Sequence, residues 1–221
     1  MFPRSASSKG GGGVYRRTAE RVLAEGYDAG SDRAGETVLR RRDAARELAR
    51  ERDLRFLDVV RIHAFERLLF VGCGDGWIAE EAWRRGLRVY VCGLDASPDL
   101  IAHAAALRGL PGKLDFQTWD ERRLPFANGS FERVFSIFAL RRAPDAATVL
   151  EEMRRVLAPG GELCLLERAE SSDGPRGDAA PAFAAALRRV GFGGVEDLLW
   201  SEGPREAGDD GAQAVVVRAR R

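Results

Sequence analysis

Leu68 to Gly76 reads LLFVGCGDG. An apolar run enters three glycines at alternate positions, Gly72, Gly74 and Gly76, and helix-forming sequence follows from Trp77 to Arg85. This is the pattern of a buried strand that ends in a tight turn and opens a helix. Glycine tolerates φ > 0 and lets a ligand come close to the backbone. A helix N-terminus behind such a turn presents free N–H groups and a partial positive charge. The stretch is therefore the candidate seat of a nucleoside-bearing cofactor.

Outward from this turn, strands and helices alternate, which predicts parallel strands with helices on both faces. Strands are expected at 68–71, 88–94, 113–118, 133–138 and 162–167, with helices at 77–85, 98–107, 146–157 and 181–190. Pro159-Gly160-Gly161 is expected to stop the third of these helices. Ser171 to Asp178 reads as a polar loop. Two late strands, near Val195–Trp200 and Gln213–Ala219, flank Asp209-Asp210-Gly211 and are expected to pair antiparallel. The fold class is thus α/β: a Rossmann-like, doubly wound, mostly parallel seven-stranded sheet with an antiparallel last strand and an N-terminal helical extension. Residues 1–31 read as a flexible tail with a short helix near Thr18–Glu25, and 32–64 as the extension, helical over Ala34–Leu57. The main domain is expected over 65–221. Arg40–Arg42 reads as a solvated helix face.

The chain has 221 residues, 45% hydrophobic, with a formal net charge of +1. That suits one domain with appendages. It gives no electrostatic case for nucleic acid. Lysine occurs only at Lys9 and Lys113, so the many arginines read as coding bias rather than phosphate binding. No apolar run reaches the ~20 residues of a membrane span. Cys73, Cys92 and Cys164 are odd in number and lack CxxC spacing, which argues against a disulfide framework and a zinc site; no metal is expected. A cytoplasmic location follows, with the acid-free segment 1–17 left open as an organellar leader.

In a doubly wound sheet, ligands bind at the carboxyl ends of the strands where strand order reverses. Asp95 ends the second strand, about 20 residues past the glycines, where an acid can accept both hydroxyls of a ribose. It could equally cap the helix entered through Ala96-Ser97-Pro98. The dinucleotide fingerprint GxGxxG would need glycine at position 77, where Trp77 stands, so a nicotinamide oxidoreductase is disfavoured.

With these landmarks, the chain resembles the class I S-adenosylmethionine-dependent methyltransferases, in the branch acting on ubiquinone precursors and other small molecules. The resemblance rests on four further segments in order: VCGLDASPDLIAHA (Val91–Ala104), WDERRLPFANGSFERV (Trp119–Val134), FALRRAPD (Phe138–Asp145) and LEEMRRVLAPGGEL (Leu150–Leu163). ALRRVGFGGVE (Ala186–Glu196) is similar to the family's last helix and strand. The resemblance implies S-adenosylmethionine as cofactor. Gly72, Cys73, Gly74 and Gly76 would line its methionine and ribose parts, and Asp95 would take the ribose hydroxyls. Ala96 would lie against the adenine. Asp120 would accept from the adenine amino group, with the Glu121 N–H beside it, and Ser136 would face the sulfonium end. The partner implied is a small or medium-sized acceptor.

The chain also departs from the family. Phe70 stands where the family usually has an acid, and Trp119 replaces a small residue. The family's LHH element is LRR here. Arg141 and Arg142 cannot act as bases at neutral pH. They could clamp an anionic acceptor or form a solvated loop pair. The segment after the fifth strand, Arg168–Ala180, is short for a lid. No catalytic residue is singled out: methyl transfer asks chiefly for placement. His103 reads as structural, and His63 could reach the site only through the N-terminal segment. Two readings stay open: an active methyltransferase, or a degenerate methyltransferase fold serving as a binding or assembly subunit, with a protein partner or homodimer.

Overall fold

The computed structural model describes Glu47 and residues 49–140, 142–168, 179–198 and 214–221. The fold lies within the compact unit Leu48–Arg221. Its first helix, α1, spans 49–60. There follow β1 (Arg67–Val71), α2 (Trp77–Arg85), β2 (Tyr90–Asp95), α3 (Pro98–Arg108), β3 (Leu114–Thr118) and β4 (Phe131–Ile137). The order closes with α4 (Ala146–Val156), β5 (Leu157–Arg168), α5 (Ala179–Val190), β6 (Gly193–Leu198) and β7 (Ala214–Arg220). The sheet order is β3-β2-β1-β4-β5-β7-β6. β7 lies antiparallel between β5 and β6; the other pairings are parallel. This is the expected Rossmann-like sheet, with its antiparallel last strand.

Alternation along the strands divides the core in two. Leu69, Val71, Leu94 and Val134 pack with Val149, Leu150 and Met153 of α4 and Leu187 of α5. Leu68, Phe70, Val91 and Phe135 pack on the other face with Phe56 and Leu57 of α1, Ile78 and Ala82 of α2 and Ile101 of α3. Phe70 stacks on Phe135, with ring centroids 4.5 Å apart and 20° between planes. Phe56 meets the same ring edge-on at 6.0 Å.

Two boundaries differ from expectation. α4 ends at Val156, and β5 starts at Leu157, so Pro159-Gly160-Gly161 lies inside a strand rather than between helix and strand. The pairing with β4 shifts register between Phe131 and Arg133, and Gly160 takes φ 77° there. A bulge accommodates a proline and a left-handed glycine that regular pairing would reject. The Ala34–Leu57 helix is seen as 49–60, and its earlier part lies outside the described residues. So do Arg40–Arg42, the helix at Thr18–Glu25, the Ser171–Asp178 loop and the Asp209–Gly211 turn.

Arg133 on β4 is 2% exposed, the largest fully buried side chain. Its Nη2 donates to Val60 O at 2.6 Å and to Glu162 Oε2 at 3.3 Å, and its Nη1 donates to Arg61 O. The last carbonyls of a helix have no partners within it and carry partial negative charge. Arg133 supplies both hydrogen bonds and charge to the end of α1, and so fixes that helix against the sheet. We predict that Arg133→Met, which leaves these carbonyls without their donor and Glu162 with Arg220 as its cation, lowers stability by about 1–3 kcal/mol. Urea unfolding monitored by circular dichroism measures the change.

Candidate active site

Sheet order reverses between β1 and β4, and the crevice opens at their carboxyl ends. A cavity of about 290 Å³ lies there. Its walls come from four strand ends: Gly72 after β1, Asp95, Ala96 and Ser97 after β2, Trp119 and Glu121 after β3, and Ile137, Phe138 and Ala139 at β4, with Arg142 beyond.

Asp95 is the polar centre of this wall and only 4% exposed. Its Oδ2 accepts from the Gly74 N–H at 3.0 Å, and its Oδ1 accepts from the Ser97 N–H at 3.0 Å. One carboxylate therefore ties the glycine turn to the start of α3. Ser97 itself is the N-cap of α3, accepting from the Leu100 N–H. Asp95 is therefore not the cap itself: it holds the capping residue through the Ser97 N–H, and it stands on the cavity wall. Each carboxylate oxygen can accept a second hydrogen bond.

The glycines divide by task. Gly72 has φ 80°, and a Cβ there would collide with the carbonyl oxygen of Ile137. Gly74 has φ 58°, and a Cβ there would meet nothing within 4 Å. The first is needed because β4 passes close; the second borders open space that a ligand could fill. Gly76 serves packing, since its Cβ would stand 2.6 Å from the Phe116 ring. Cys73 is buried on the Phe70 face of the core. Burial, with the Asp95 charge next in weight, pushes its thiol well above the ordinary range.

Of the residues singled out from sequence, Gly72, Asp95, Ala96, Glu121 and Arg142 share the cavity wall. Cys73, Gly74, Gly76, Asp120 and Ser136 are not among the residues that form it, and Arg141 lies outside the described residues. Asp120 is exposed and turned to its own loop: Oδ1 accepts from the Arg123 N–H at 2.9 Å and the Arg122 N–H at 3.0 Å. These bonds hold its carboxyl below the usual range. Ser136 is fully buried, and its hydroxyl has no hydrogen-bond partner among the described residues.

Sequence reading missed Ser97 and the β4 end, Ile137–Ala139. Phe138 adopts φ 50° and Glu121 φ 57°, both left-handed. Such backbone costs on the order of 1–3 kcal/mol per residue. The Phe138 N–H is held by Leu166 O at 2.9 Å. Only the family-like FALRR run pointed at this segment. Trp119, marked as a departure, is 9% exposed and forms part of the wall. We predict that Asp95→Ala, which leaves the Gly74 and Ser97 N–H groups without their acceptor, destabilises the fold by about 1–3 kcal/mol. Hydrogen exchange at those two amides should accelerate.

Residues 69–165 match the methyltransferase domain family. A malonyl-[acyl-carrier protein] O-methyltransferase of Erwinia pyrifoliae is 35% identical over 130 residues, 57% of this chain and 46% of that protein. A demethylmenaquinone methyltransferase of Deinococcus radiodurans is 37% identical over 106 residues, 48% of this chain and 44% of that protein. The chain thus spans about half the length of these curated relatives. An S-adenosylmethionine-dependent methyltransferase from Mesorhizobium loti shares the fold, with a TM-score of 0.56 and 23% identity over 71% of this chain and 91% of that one. Residues 69–165 therefore match a methyltransferase domain, set in a Rossmann-like sheet.

Proposed function

We propose that this chain is an S-adenosylmethionine-dependent methyltransferase that moves a methyl group to a small or medium-sized acceptor. The observation that carries the reading is the Asp95 carboxylate: on the cavity wall, nearly buried, and locked by two backbone N–H groups. Its two remaining acceptor sites match the paired hydroxyls of a ribose. The residues around it fit the rest of the cofactor. Open space stands where a Gly74 side chain would be. Ala96 keeps the wall beside Asp95 low, and Trp119 gives an aromatic surface on which an adenine can pack. When bound, the cofactor supplies a methyl group already activated on a sulfonium.

The chain's own part is binding and placement. Asp95 fixes the nucleoside, and Ile137–Ala139 hold apolar surface against water beside it. An acceptor held in line at near-attack distance needs little more. This agrees with a wall whose ionisable side chains are Asp95, Glu121 and Arg142. Arg142 is exposed on that wall and has no ion-pair partner among the described residues. It is the group we assign to an anionic part of the acceptor. Among the described residues there is neither a group of three metal-type ligands nor a helix long and apolar enough to cross a membrane. We read the protein as a cytoplasmic enzyme, and a homodimer or protein partner as compatible with it.

Calorimetric titration with S-adenosylhomocysteine tests this reading. We expect a Kd on the order of 10 µM. Asp95→Ala should weaken it about ten- to hundredfold, the worth of a charged hydrogen bond. No heat of binding at about 1 mM ligand would contradict the cofactor reading and favour a methyltransferase fold kept as a binding or assembly subunit.

A further inference from the structure

The amino-acid end of S-adenosylmethionine is a zwitterion, an ammonium beside a carboxylate. A site that holds it needs an anion and a cation within reach of the glycine turn. β1 offers neither at Phe70, which is fully buried and stacked on Phe135. Asp95 already serves the Gly74 and Ser97 amides on the nucleoside side.

The complementary charges sit on α1. Arg52 donates through Nε and Nη2 to Asp53 Oδ1, at 3.1 and 2.7 Å. Consecutive helix residues do not normally face each other. The Arg52 and Asp53 side chains are 20% and 14% exposed, more sheltered than the solvated ion pairs that contribute little. The Arg52 guanidinium lies 4.6 Å from the ring centroid of Phe138, a wall of the cavity. Two residues earlier, Arg50 stands 5.5 Å from the ring of Trp77, the first residue after the glycine turn. The first half of α1 thus runs from the glycine turn to the end of β4. Asp53 Oδ2 has no partner among the described residues. Burial raises the Asp53 carboxyl, Arg52 offsets this only in part, and the Asp75 charge in the glycine turn adds to the rise. A sheltered acid left in that condition favours a second cation.

We propose that Arg52 and Asp53 bind the amino-acid end of the cofactor, the guanidinium taking its carboxylate and the Asp53 carboxylate its ammonium. The pair takes over from an acid at position 70, and α1 becomes part of the binding site. The inference rests on the cofactor reading above.

The test compares two ligands on the full chain by calorimetry. S-Adenosylhomocysteine carries the amino-acid end; 5′-methylthioadenosine has the same nucleoside and thioether without it. The wild-type chain should prefer the first by about tenfold or more. Asp53→Asn and Arg52→Met should each weaken the first ligand about tenfold and leave the second within about twofold. Equal wild-type affinity for both ligands would overturn the inference and leave the cofactor reading standing. So would variants that bind S-adenosylhomocysteine like the wild type, or that lose both ligands in parallel, as a disturbed helix would. A wild-type chain that binds neither ligand overturns the cofactor reading, and this inference with it.

Discussion

The Asp95 carboxylate is the constraint on which the site depends. It ends β2 in a nearly buried position and would be costly there without hydrogen bonds. The Gly74 and Ser97 amides supply them from two different turns. Both turns are thereby tied to the same group. The glycine turn is bound to the end of β2, with the Gly72 and Cys73 N–H groups also donating to Leu94 O, and α3 starts where Ser97 can cap it. The cavity is walled by these turns, with Gly72 letting the end of β4 come close.

A second anchor lies at the opposite end of the sheet. Arg133 is buried among apolar side chains, yet its guanidinium faces the end of α1 and Glu162. Losing a hydrated cation to the interior is expensive. The return is positional: α1 is fixed across the face of the sheet by its C-terminal end, with Phe56 against Phe135 and Phe70. That placement carries Arg50 and Arg52 to Trp77 and Phe138 at the mouth of the crevice. An aromatic at position 70 and a helix that lies across it form one packing arrangement.

Much of this was legible in the sequence because its signals are local. Alternating glycines after an apolar run mark a strand and turn, and Asp95 has the spacing of a ribose acid. The order of strands and helices follows from periodicity. What escaped reading was tertiary. Pro159-Gly160-Gly161 looks like a helix stop, but the strand begins at Leu157 and absorbs the three residues as a bulge. Gly76 resembles a ligand-facing glycine, whereas the Phe116 ring is what requires it. Asp120 spends one oxygen on its own loop, a choice no pattern reveals. Ile137–Ala139 carry no polar signature, and their part in the cavity comes from left-handed backbone at Phe138. The approach of Arg52 to Phe138 depends on how α1 packs, which residue order alone does not specify.

The central claim is that the crevice at the ends of β1, β2 and β4 holds the methyl donor. A crystal structure grown with saturating S-adenosylhomocysteine tests it most directly. The account predicts nucleoside density in this cavity, with the ribose hydroxyls on the Asp95 carboxylate and the adenine against Trp119. Density for the ligand at any other place, or a Trp119 side chain filling the adenine position with no ligand bound, would contradict it.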